Sequence, residues 1–419
     1  MKSEKLFLLL AVLFIFSLQS CVKDKCQREV TYVKSTPIYA TLEEIRSPVQ
    51  MDEARELEDP GKIYFYNNYI FINEKRAGVH IFDNSNPSSP LNIGFLNIPG
   101  NVDIAIRNDI MLADNYIDLL SIDINDPSNP FLVKRTTEVF PSFGTSEEGI
   151  LVYVEQEEVT EMVDCSTANN QFGDDILFSN AEISNDQASG GKTGGDGIGG
   201  SLARFSLYDN YLYAIDQSNM YTFSIDDLTN PSKVGEMNVG WNIETLYAFG
   251  DKLFIGSQQG MFIYDASDPA NPVYLSGYEH WTSCDPVFVK DNYAYVTLHG
   301  GTLCNGSQLN QLDLIDITDI LNPNLVKSFP MENPHGLSIK DNNLFLCEAD
   351  AGLKVFDIEN PLVLDQKLLS TLNDFSAKDV IVVPGDQNIL LVIGDDGFYQ
   401  VNFDNPENLD VLSLIPVKR

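Results

Sequence analysis

The chain has 419 residues, with 61 Asp and Glu against 26 Lys and Arg, for a formal charge of −35. Phosphate backbones and anionic lipid surfaces repel such a chain, which disfavours a nucleic-acid partner. Hydrophobic residues make up 43 %, including 24 Phe and 18 Tyr, which is ample for a large core and excludes wholesale disorder.

Met1 to Ser20 reads as an export signal. Lys2 and Lys5 precede the apolar run Leu6–Phe16, which is too short to span a bilayer as a mature anchor. The run leads into Leu18-Gln19-Ser20-Cys21, which resembles a bacterial lipobox with Cys21 as the lipidated residue. Stable anchoring takes two or more palmitate-type acyl chains, since one binds only marginally. The expectation is a signal peptide over 1–20, a lipid-anchored tether over 21–45 and one domain over 46–419. The address is the bacterial outer membrane, with membrane contact through the N-terminal lipid. The mixed signs of Val22-Lys23-Asp24-Lys25 leave the cell surface and the periplasmic face both open.

Outside the cytoplasm disulfides are permitted. Cys284 and Cys304, 20 residues apart within one repeat, are the candidate pair. A pairing of Cys26 with Cys165 stays open. Cys347 lies in the apolar run Leu344-Phe345-Leu346-Cys347 and reads as a buried thiol. No CxxC occurs, which argues against a structural zinc site.

The strongest signal is an internal repeat of about forty residues. An alternating apolar strand ends in Asp and is followed by an Asx-Pro turn: Gly78-Val79-His80-Ile81-Phe82-Asp83 with Asn86-Pro87, then Leu120-Ser121-Ile122-Asp123 with Asp126-Pro127. Further copies are read as ending at Asp226, Asp265, Asp316, Asp357 and Asp404. In the clearest copy the predicted strands are 336–340, 344–348, 352–357 and 363–370. Such units have faces that neighbours must cover, and they close radially. The predicted fold is all-β: a β-propeller of seven four-stranded blades with a long insertion, 134–201, between the second and third repeats. Within the insertion, 149–155 and 157–162 read as a β-hairpin, and 190–200 as a Gly-rich loop. The repeat Asp reads as a turn former.

The Ile-x-Asp strand followed by Asx-Pro-x-Asn-Pro resembles the LVIVD repeat of exported bacterial propellers. Pro60-Gly61-Lys62-Ile63-Tyr64, Ile98-Pro99-Gly100-Asn101-Val102-Asp103 and Cys284-Asp285-Pro286-Val287 resemble the Bacteroidetes-type lipoprotein branch. The resemblance implies the fold over about residues 45–419 and no common reaction, so function has to come from a site.

Gly191-Lys192-Thr193 lacks the Gly, strand and helix of a P-loop, and Gly195-x-Gly197-x-x-Gly200 fits the dinucleotide-binding GxGxxG only as a string. The four histidines, His80, His280, His299 and His335, form no metal-spaced pair and no nucleophile elbow is present. No catalytic residue is assigned. Innermost strands begin at Asn101, Asp103, Asp285, His335 and Asp379, the candidates to line a central funnel. The loops joining second and third strands carry Asp114, Asp118, Asp216, Glu348, Asp350, Asp395 and Asp396. They predict an acidic face to which Ca²⁺ is the one cofactor suited. The leading functional expectation is a non-catalytic binding or scaffold propeller, an accessory subunit of an outer-membrane protein complex. The alternatives are a surface lipoprotein capturing glycan or divalent cation, and, third, a hydrolase or lyase using channel carboxylates.

Overall fold

Short apolar strands such as Tyr69–Glu74 and Gly78–Asp83 are buried on both faces, so each must lie between two layers of neighbours. The computed structural model describes residues 27–142, 144–164, 198–199, 203–279, 286–300, 309–385 and 387–418. They divide into two units, the smaller holding, among the described residues, 27–34 and 157–164. There the Tyr32 hydroxyl donates to Glu161 at 3.3 Å. The sheets and sites described below lie in the larger unit.

Among the described residues, this unit carries seven antiparallel four-stranded meanders. Their innermost strands are Pro60–Tyr66, Ile104–Arg107, Phe205–Tyr208, Ile243–Phe249, Val287–Lys290, Leu337–Lys340 and Asp379–Val382, and the sheets are numbered one to seven in that order. Seven hydrophobic clusters lie between successive sheets, each drawing on two neighbours. One joins Ile81 and Leu96 of the first sheet to Ile106 and Leu120 of the second. The last joins Ile381 and Leu391 of the seventh to Ile63 and Ile70 of the first. The sheets therefore close on themselves as a β-propeller, which removes free edges.

Register is regular. In every sheet the pairing of third and fourth strands carries one irregularity, as between Ile81 and Phe82 or between Gln400 and Val401. Such bulges increase the local twist. The first sheet is widened by Gln50–Asp52 outside and Ile198–Gly199 inside.

The repeat turn is built by paired side-chain caps. Asp83, Asp123, Asp265, Asp316 and Asp357 each accept the N–H two residues on, at 2.8–2.9 Å. The third and seventh copies correct the sequence reading: Ser224 and Asn402 occupy this position and cap Asp226 and Asp404. Asp226 and Asp404 match the repeat only as letters. A second Asx three residues later caps the turn in all seven copies, for example Asp126 to the Ser128 N–H at 3.1 Å.

Three further expectations are corrected. The segment read as a tether forms a strand over Gln27–Ala40 and then a capped turn of helix, Leu42–Ile45, with Ile45 fully buried. Residues 149–164 form one continuous strand rather than a hairpin. Its sequence Glu155-Gln156-Glu157 offers no Gly, Asn or Asp to adopt the positive φ that a tight hairpin turn needs. In the sixth sheet Pro361–Gln366 is a 3₁₀ helix and the fourth strand starts only at Leu368, because Pro361 presets helical φ just after the Asn360 cap. No described helix is long and apolar enough to cross a membrane. Cys21, Cys26, Cys165, Cys284, Cys304, Asp285 and the Gly-rich loop lie outside the described residues.

Candidate functional site

In each meander the start of the innermost strand and the loop between second and third strands fall at the same end. Pairing of Ile104 with Ala113 sets Asp103 beside Asp114. Asn101, also at that end, donates its amide to Asp114 Oδ1 at 2.8 Å and to the Asp103 carbonyl at 2.9 Å. Asn73 of the first sheet donates in turn to Asn101 Oδ1 at 2.7 Å. Asp103 is buried, and its Oδ2 accepts the N–H groups of Arg204 at 2.6 Å and Phe205 at 2.8 Å, stitching the second sheet to the third. Lys62 Nζ lies 3.3 Å from the same oxygen. Three sheets thus meet on one carboxylate.

Asp114 Oδ1 accepts three N–H donors, from Asn101, Val102 and Asp103. Burial, with the neighbouring Asp103 charge, still outweighs those bonds and pushes its carboxyl up to about 6. Burial also lowers the Lys62 ammonium and the Arg204 guanidinium below their usual ranges, against the pull of nearby carboxylates.

Over this network lies a cleft of about 120 Å³ walled by Arg76, Tyr116, Phe140, Tyr153, Arg204 and Asp216, with Asp114 at its lining. Arg76 sits in the turn between second and third strands of the first sheet, at φ 57°. Its N–H donates to the Asn101 carbonyl at 2.9 Å and its carbonyl accepts from Gly100 at 2.8 Å. Its guanidinium carbon lies 3.9 Å from the Tyr153 ring centroid. The Tyr116 and Tyr153 rings run nearly parallel, 12° apart with centroids at 6.4 Å. Gly100 adopts φ +75°, and a Cβ there would run into the Tyr116 ring, so both conformation and space require glycine. Phe140 stands edge-on to Tyr221 at 5.5 Å.

The acidic face expected from the loops does not form as one surface. Of these loop carboxylates only Asp114 and Asp216 line the cleft. Asp216 is held by the N–H groups of Ser218 and Asn219, each at 2.7 Å, and by the Tyr221 hydroxyl. Asp118 is fully buried against Arg46 at 3.0 Å and Arg135 at 3.3 Å. Glu348, also fully buried, accepts the Glu332 N–H at 2.7 Å and pairs with Lys354 at 3.3 Å. Asp395 pairs with Lys378 at 2.6 Å and Asp396 accepts the Tyr399 hydroxyl at 2.8 Å, while Asp350 is exposed. These carboxylates cap loops and neutralise cations, which is why they scatter. Among the described residues no three His, Cys, Asp or Glu side chains converge as a metal would need.

The funnel candidates fall into two groups. Asp103 lines the cleft and Asn101 belongs to the network beneath it, whereas His335 and Asp379 lie at the sixth and seventh sheets. His335 packs against His299 with centroids 4.2 Å apart and ring planes tilted by 37°. Burial lowers His299 to about 4 and His335 well below its ordinary value, with Lys378 adding to both. Both imidazoles are therefore neutral at pH 7. His80, read as packing, is fully buried edge-on to Phe95 and bonded to Glu74 at 2.8 Å. Cys347 is a buried free thiol whose pKa burial raises well above its usual value.

Lys62, Arg76, Tyr116, Phe140, Tyr153 and Arg204 were not singled out as site residues from sequence. The signal available for Arg76 is the Lys75-Arg76 pair at a strand turn in so acidic a chain. Tyr153 and Phe140 come from the insertion, and no local pattern links them to Gly100.

A family model described as the LVIVD repeat matches residues 60–97 and 108–138. No curated protein matches the chain. Among solved structures, the periplasmic gluconolactonase PpgL of Pseudomonas aeruginosa aligns over 86 % of this chain and 98 % of its own at 10 % identity, TM-score 0.51. A protein of unknown function from Desulfotomaculum acetoxidans aligns over 85 % and 95 % at 11 % identity, TM-score 0.49. BamB from Moraxella catarrhalis aligns over 91 % and 98 % at 10 % identity, TM-score 0.47. At these identities the likeness concerns the fold, and with the matched repeats it makes the chain a β-propeller carrying LVIVD repeats.

Proposed function

We propose that this chain is a non-catalytic binding propeller, held at the bacterial outer membrane through a lipid on Cys21 and docking an outer-membrane protein. One observation supports a binding role over a hydrolytic one. The carboxylates at the channel end are engaged within the fold, Asp103 by Lys62 and two backbone N–H groups, Asp118 by two arginines and Glu348 by Lys354. A general acid and base need a carboxylate or histidine within reach of an open reacting position. These three groups are instead buried in ion pairs, which leaves Asp114 at the cleft with Asp216 tied to its own loop. A rigid propeller with a long excursion between its second and third sheets suits docking, since long excursions in compact folds usually carry function.

The test is purification of the tagged, lipidated protein from its native membrane in mild detergent, with mass spectrometry of the co-purifying chains. A stoichiometric outer-membrane protein, lost on deleting residues 166–200, is the expected result. A clean monomer would overturn the reading.

A further inference from the structure

The geometry points to a ligand site of a different kind: the cleft between the first three sheets binds a small organic carboxylate, with Arg76 as the anion-binding group and Tyr116, Tyr153 and Phe140 packing its apolar body. Acidic residues outnumber basic ones 61 to 26 in this chain, so a basic side chain finds a carboxylate easily. Arg46, Lys62, Arg135, Lys354 and Lys378 each do so within 3.3 Å. Arg76 is half-buried and makes no ion pair among the described residues. Its guanidinium carbon lies over the Tyr153 ring instead, 3.9 Å from the centroid. A guanidinium held over a ring with no carboxylate partner keeps N–H donors for a further acceptor, and its planar fork matches a carboxylate bidentately.

The neighbouring groups favour the same ligand. Arg204 adds a second cation to the lining. Of the carboxylates that could repel an anion, Asp103 is paired with Lys62 and Asp216 is tied to its own loop. Asp114 remains, and with its carboxyl at about 6 it becomes neutral just below physiological pH. Lys62, Asp103, Arg76, Arg204, Asp216 and Tyr116 surround it. Tyr116 and Tyr153 have hydroxyl pKa values raised by burial and stay neutral there. The volume of about 120 Å³ is near that of a cavity of about 150 Å³ that holds benzene, so the body is about one ring. This inference does not rest on the docking reading, and a failed co-purification leaves it standing.

The experiment titrates a fluorobenzoate against the full lipidated chain in detergent, followed by fluorine NMR, with the matching fluorobenzamide as neutral isostere. Saturable binding of the acid and not of the amide is expected. Arg76→Gln should weaken it at least about tenfold, the loss of one charge-assisted bidentate contact. Affinity should rise about sixfold between about pH 7.5 and 5.5, where benzoate stays ionised, because a bound anion makes Asp114 hold its proton about tenfold more tightly. Asp114→Asn should bind with no such dependence. Equal binding of acid and amide, unsaturable partitioning, or full affinity in a folded Arg76→Gln chain would each overturn the inference. The amide comparison needs no variant, so a misfolded substitution does not block the test.

Discussion

Asp103 shows how one side chain can do structural and local electrostatic work together. Its Oδ2 accepts two N–H groups of the third sheet and faces Lys62 of the first. Replacing it with Ala leaves an ammonium buried without its carboxylate, which costs about 3–5 kcal/mol and should appear as a lower urea midpoint. Asp114 gives the opposite sign. Its folded pKa of about 6 lies above the usual carboxylate value, so the folded state holds the proton more tightly than the unfolded one. Its contribution is most favourable below about pH 4 and declines as pH rises through 6. Asp114→Asn, which keeps an acceptor for the three N–H donors, should therefore gain about 2 kcal/mol on the native chain between pH 4 and 7, the cost of ionising so buried a carboxyl after partial screening. Paired denaturation curves at both pH values would read this, and parallel pH profiles would contradict it.

At the scale of the element, the repeat turn is held by two side-chain caps rather than by one aspartate. Asp319 accepts the Leu321 N–H at 3.1 Å and Asp126 accepts the Ser128 N–H at 3.1 Å. Either change to Ala should cost about 1 kcal/mol, and the pair should add, since they lie in different sheets with no shared partner. Gly352 sets a stricter limit. With φ +83° and the Leu372 carbonyl where a Cβ would stand, Gly352→Ala should cost more than the roughly 1 kcal/mol of an ordinary left-handed penalty. Thermal melts rank the two effects. The meander pattern was legible in sequence because alternation and Asx-Pro turns are local. The register of the third and seventh copies was not, because Asp226 and Asp404 match the letter while Ser224 and Asn402 make the bond.

For the large unit as a whole, stability depends on closure. Asn84 and Gln400 exchange two hydrogen bonds, 3.0 and 2.7 Å, from the first sheet to the seventh. Leu57 bridges Val417 in parallel, and the Lys418 N–H donates to the Leu57 carbonyl at 2.7 Å. Gln400→Ala leaves a buried amide unsatisfied, about 1–3 kcal/mol. Deleting residues 410–418 removes the outer strand of the seventh sheet together with this latch. It should broaden the unfolding transition as well as lower it, since neighbouring sheets then lose a shared boundary. A sharp transition of unchanged width in calorimetry would show that closure carries no such cooperativity. The binding reading belongs to this scale too, because the cleft exists only where three sheets and the insertion meet.

What the sequence determined by itself was the strand period, the turn chemistry, the repeat and the acidic charge, all properties of residues within a few positions of one another. It carried Asn101, Asp103 and Asp114 to one end of a sheet because strand order dictates that. What only the tertiary structure decided was which carboxylates are spent on cations and which remain. It also decided that Arg76, Gly100, Tyr116 and Tyr153 meet. Those contacts join segments tens of residues apart through packing between sheets, and no local pattern of polarity records which side chain a distant one will face.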